Sequence, residues 1–102
     1  MSDRRRVVIT GMGAVTPLGN DPAAFWSRLV AGESGVRTIG AFDPVRLTSR
    51  IAGEVQGFDP GDVLDRKEQR RNDRVTQFAL VAARQALDQA GLPGRLEGTL
   101  AE

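Results

Sequence analysis

The spacing of apolar and polar positions divides this chain into stretches of different periodicity. Val7-Val8-Ile9-Thr10 is an unbroken β-branched run, and such residues are stiff at χ1 and favour a pleated surface. The run shows no polar alternation, so both faces need cover, which predicts a central strand in a sheet with helices on each side. A helical period follows in AAFWSRLVA, where Phe25 with Leu29, and Trp26 with Leu29 and Val30, form a stripe at i, i+3 and i+4 spacing. Asp21 is placed to cap this helix, Pro22 suits its first position, and Gly32 supplies the left-handed residue that ends it. Strand, loop and amphipathic helix in succession open an α/β unit.

Glu33 to Ser49 is less regular and is punctuated by Gly35 and Gly40. Arg50 to Val55 reads as a short strand, with Gly53 pointing to an edge or a bulge. Phe-Asp-Pro occurs at 42–44 and again at 58–60, each time as an Asp-Pro turn or helix start behind a hydrophobic residue. Asp65 and Glu68 have capping-box spacing, which predicts a helix from about Arg66. Asn72-Asp73 either interrupts that helix or starts a fresh one, and the pattern allows both. Arg74 to Ala90 is rich in helix formers, Gly91 is its stop, Leu92 is placed to pack back on Leu87, and Pro93 bars continuation. Within this last helix Phe78 to Ala83 is apolar all round and requires cover on every side. One strand, one short helix and loops do not supply it. A partner chain or a continuation of the core is therefore expected, and the sequence reads as a fragment.

At 102 residues the chain makes one partial domain, 1–102, with no second domain. Fourteen Lys and Arg against 13 Asp and Glu leave a net charge of +1, so no global field argues for nucleic acid or membrane. No stretch approaches the ~20 apolar residues of a membrane span. The opening MSDRRR is basic, but the apolar run after it is too short for a secretory signal and is broken by Gly11, so the expected setting is cytoplasmic. The sequence contains neither Cys nor His. Disulfides, zinc clusters, thiol nucleophiles and imidazole bases are thereby excluded from these residues, and no metal site is expected.

Two motifs invite chemistry. The loop Gly11-Met12-Gly13-Ala14-Val15-Thr16 starts like the dinucleotide fingerprint, but Thr16 stands where the third glycine belongs and Thr16-Pro17 delays the helix. A structural turn is the better reading, and no cofactor is expected. The second motif is the charge run Asp65 to Arg74. At ~100° per residue a helix would gather Arg66, Lys67, Arg70, Arg71 and Arg74 within roughly 140°, leaving Asp65, Glu68 and Asp73 outside. The bland reading is a solvated face laced with i,i+3 and i,i+4 pairs; the sharp one is a docking patch for an acidic partner. No aromatic residue is interleaved to stack on bases, which counts against nucleic acid.

In order and spacing, RRVVITGMGAVTPLGND, FWSRLVAGESGV, FDP, RIAGEV, FDP, DRKEQRRNDRVTQFALVAARQAL and AGL resemble the N-terminus of β-ketoacyl-acyl carrier protein synthases, most nearly the elongating type-II enzyme. The resemblance runs from Arg5 to Leu92. It implies an α/β fold class, here the incomplete N-terminal part of a thiolase-like fold: strand, glycine-rich loop, helix, irregular segment and long helix. It also implies a homodimer in the full-length protein and a decarboxylating Claisen condensation by an active-site Cys assisted by two His. Those catalytic residues lie beyond position 102 in the family, so none is expected in this chain and the chain alone is expected to be inactive. Lys67, Arg70 and Arg71 match the positions that present cations to the acidic acyl carrier protein. Two other readings stay open: a piece of a polyketide ketosynthase or of its chain-length partner, and a non-enzymatic interaction module using the basic helix face.

Overall fold

A computed structural model describes residues 4–92. Its elements in chain order are α1 (Pro22–Val30), β1 (Val36–Thr38), β2 (Ile51–Gly53), α2 (Arg66–Arg71) and α3 (Arg74–Ala90). The helices begin where the sequence places their caps. Asp21, Asp65 and Asp73 each lie in extended backbone and accept the N–H three residues on, at 2.8, 2.8 and 3.0 Å. α3 ends in a Schellman motif: Gly91 is left-handed at φ 73°, its N–H reaches Asp88, and the N–H of Leu92 turns back to the Leu87 carbonyl at 2.9 Å. Pro93 lies outside the described residues. The Asn72-Asp73 alternative resolves into two helices, with Asn72 extended at φ −114°, ψ 135°.

β1 and β2 pair antiparallel, Val36 with Gly53, Arg37 with Ala52 and Thr38 with Ile51. β2 is the strand expected within Arg50 to Val55; β1 lies in the stretch read as irregular. The connection between them is held by side chains. The Glu54 carboxylate accepts from the N–H groups of Gly40 and Ala41 at 2.7 and 3.1 Å, and the Arg50 guanidinium donates to the Val45 and Leu47 carbonyls. Both Phe-Asp-Pro copies make the same Asx turn, Asp43 accepting from Val45 and Asp59 from Gly61.

The glycine loop is organised by α3. A Cβ on Gly11 would stand 2.0 Å from the Ala86 carbonyl oxygen, and one on Gly13 would stand 1.8 Å from that of Ala82. The loop backbone therefore lies directly on the small-residue face of the helix, an approach open only to glycine. Gln85 and Gln89, one turn apart on that helix, accept from the N–H groups of Ala14 and Met12 at 2.9 and 2.7 Å. The loop then closes in the tight turn Thr16 to Gly19, whose Pro17 packs on Gly35 and Gly53 beside the β-hairpin.

One expectation needs correction. Val7 to Thr10 has no ladder partner among the described residues, and Val7 and Ile9 are 93% and 83% exposed. A strand exists through its neighbours, and the two described strands pair only with each other. The apolar run of α3 keeps Ala79, Leu80 and Ala83 exposed, as expected of a run whose cover this chain does not supply. Leu64, at 5%, is the single buried hydrophobic side chain among the described residues. No described helix is long and apolar enough to cross a membrane.

Candidate functional site

The basic segment sits at the corner between α2 and α3, and that corner is tied down on both sides. Gln69 on α2 donates to the Leu64 carbonyl at 2.9 Å, fixing the helix to the turn that precedes it. At the other end the Asn72 amide donates to the Glu68 carbonyl, and Gln77 on α3 donates to the carbonyls of Gln69 and Asn72 at 2.9 and 3.1 Å. The Gln69 carbonyl near the end of α2 and the Asn72 carbonyl just after it are thus satisfied by one side chain of the next helix.

Held this way, α2 presents Arg66, Lys67, Arg70 and Arg71 on one exposed face. Among the described residues none of the four is in an ion pair; the pair present, Arg84 with Asp88, is on α3. The i,i+3 and i,i+4 pairing that a solvated charged helix would use is therefore absent from this face. Arg66 and Lys67 also occupy the first turn of α2, where the helix dipole disfavours cations. The neighbouring acids are engaged otherwise. Asp65 and Asp73 cap helices, and the Asp73 carboxyl is held below its ordinary range chiefly by the Thr76 hydroxyl and then by the Thr76 N–H.

The continuous helical projection over 66–74 does not survive, because the chain breaks at Asn72-Asp73. Lys67, Arg70 and Arg71 share α2 with Arg66; Arg74 starts α3. Its guanidinium lies over two rings, 4.9 Å from the Phe78 centroid and 5.7 Å from that of Phe58, and the rings meet edge-on at 4.8 Å. The aromatic seat of Arg74 was not readable as such from the sequence, since Phe58 belongs to a turn motif twenty residues before Phe78. Behind it an open groove of about 650 Å³ runs between Gly40, Ala41, Gly53 to Gln56, Arg74 and Phe78.

The glycine loop offers no comparable anion cradle, since its Met12 and Ala14 N–H groups are already taken by α3 glutamines. Among the described residues no cluster of acidic side chains has the geometry of a metal site.

Residues 4–100 match the family model described as Beta-ketoacyl synthase, N-terminal domain. The chain is 50% identical over 90 residues to the 3-oxoacyl-[acyl-carrier-protein] synthase 2 of Coxiella burnetii, and 46% identical over 92 residues to that of Staphylococcus aureus. It covers 88% and 90% of its own length in these matches but 22% of each relative. A solved structure, the ishigamide ketosynthase/chain length factor, superposes with a TM-score of 0.78 at 39% identity, over 88% of this chain and 22% of that one. That likeness agrees with the incomplete thiolase-like α/β fold expected from the sequence.

Proposed function

The chain belongs to the beta-ketoacyl synthase family, and from that membership we propose that it is the N-terminal portion of a chain-elongating 3-oxoacyl-acyl carrier protein synthase. The identity to synthases of that name, 43–50% over about nine-tenths of the chain, carries the reading. In the reaction an acyl group on an enzyme cysteine is attacked by the carbanion left when malonyl-carrier loses CO2. The new C–C bond gives 3-oxoacyl-carrier and returns the free thiol. The chain has neither cysteine nor histidine, so its own share of the work is scaffold and docking. The full-length protein is a cytoplasmic homodimer in this reading.

The docking surface is Lys67, Arg70 and Arg71, and its partner is the acidic acyl carrier protein. An exposed row of cations with no counter-charge among the described residues supports this, because such a row steers an acidic partner while each member contributes only ~1 kcal/mol or less. Reversing all three charges in a full-length protein carrying this segment tests it. kcat/KM for carrier-borne substrates should fall at least tenfold at low salt, and the deficit should shrink as salt screens the wild-type attraction. Acyl groups on a short neutral thioester should react at unchanged rates. A parallel fall in both would assign the patch to the fold, and no change in either would leave it a solvated face.

The ketosynthase/chain length factor neighbour favours one second reading, a polyketide ketosynthase or its chain-length partner. Product analysis separates these. The elongating synthase releases a 3-oxoacyl-carrier after one condensation, a polyketide ketosynthase extends a poly-oxo chain, and a chain-length partner alone condenses nothing.

A further inference from the structure

Arg74 differs from the α2 cations in how it is held. Lys67, Arg70 and Arg71 extend into solvent without a described partner, whereas the Arg74 guanidinium is seated on Phe58 and Phe78. Resting on two half-buried rings limits its rotamers before any partner arrives, so less side-chain entropy remains to be lost on contact. Its position does not serve the helix. Arg74 is the first residue of α3, the end at which the dipole disfavours a cation, and it has no carboxylate partner among the described residues. The nearest acid in sequence, Asp73, has its carboxylate committed to the Thr76 N–H. The residue remains exposed and borders the 650 Å³ groove beside the hairpin.

We propose that Arg74 is the anchor of the docking face: a pre-oriented guanidinium that takes a carboxylate of the acidic carrier protein, while Lys67, Arg70 and Arg71 supply long-range attraction. The inference rests on the docking reading above and divides the labour within it. Solvated, mobile charges act on encounter and so on kon; a fixed, planar donor on an aromatic seat acts after encounter and so on koff.

Association and dissociation rates of an apo carrier protein on the full-length synthase separate the two roles. Arg74→Met keeps an unbranched chain on the rings but removes the charge. It should raise koff about three- to tenfold and change kon less than twofold. Triple reversal of Lys67, Arg70 and Arg71 should lower kon steeply and in a salt-dependent way. Thermal melts of both variants should overlay the parent, and turnover of a neutral thioester substrate should be unchanged. An effect of Arg74→Met confined to kon would make it one more steering charge and overturn the anchor. An unchanged koff beside a triple variant that loses kon would sink the anchor and spare the docking face. If the triple variant also binds normally, both fall. A lowered melting temperature with parallel loss on the neutral substrate would assign Arg74 to the fold alone.

Discussion

Gly13 and Ala82 approach so closely that the smallest side chain has no room. A methyl at Gly13 would meet the Ala82 carbonyl oxygen at 1.8 Å and its Cα at 3.0 Å, all of it helix backbone that cannot swing aside. Gly13→Ala should therefore destabilise a full-length protein by roughly 2–3 kcal/mol through overpacking, read as a shifted urea midpoint. Gly32→Ala provides the contrast. Among the described residues no atom beyond its chain neighbours lies within 4 Å of its added Cβ, and the cost comes only from φ 78°, about 1 kcal/mol. Equal effects at the two glycines would show that the loop does not rest on α3 as described. Within GMGAVTPLG, Thr16 in place of the third glycine already favoured a structural turn over a phosphate loop. What the stretch did not show is the close approach to a helix, because that depends on Ala82 and Ala86, some seventy residues on.

Elements whose causes are local were legible, and those whose causes are distant were not. Each helix start depends on one aspartate and an N–H three residues away, so Asp21 and Asp65 could be read directly, whereas Asn72-Asp73 left an interrupted helix and a fresh one both open. β1 was missed although Val36-Arg37-Thr38-Ile39 is mostly β-branched between two glycines, because its pairing depends on residues 50–53 across an irregular loop. Of the basic residues, the α2 cations were legible because they share one helix; the seat of Arg74 was hidden because Phe58 and Phe78 come from separate segments. The cap of α3 has a pH consequence. The Asp73 carboxyl is depressed by Thr76, so its contribution is fully present above the unfolded value near 3.8 and is lost as pH falls through the lower folded value. Acid should thus loosen the first turn of α3 selectively, seen as faster amide exchange at Thr76 below about pH 4. In Asp73→Asn, whose amide oxygen still caps without titrating, that acid step should disappear.

For the whole molecule the governing fact is that ordering the chain costs on the order of 100 kcal/mol of conformational entropy, and apolar burial must offset it. One hydrophobic side chain, Leu64, is buried among the described residues, while Val7, Val8, Ile9, Trp26, Val30 and Val75 stay largely in solvent. The Cα radius of gyration is 17.7 Å, against about 13 Å for a compact chain of about 100 residues. Side-chain ties such as Gln85 to Ala14 and Gln77 to Gln69 define the geometry, but such part-buried hydrogen bonds replace bonds to water in the unfolded chain, and each adds only about 1 kcal/mol net. The 102-residue chain purified by itself should consequently lack a cooperative fold. It should bind a hydrophobic dye, self-associate as concentration rises, melt over a broad range, and give a weak near-UV signal from Trp26, which is 65% exposed. It should also turn over no malonyl-carrier substrate, having neither thiol nor imidazole. In the full-length protein the same tryptophan should move to a bluer, less quenchable emission if the remaining fold covers α1. A soluble monomer of the isolated chain with a single sharp transition would overturn this account, because it would require a core that Leu64 alone does not make.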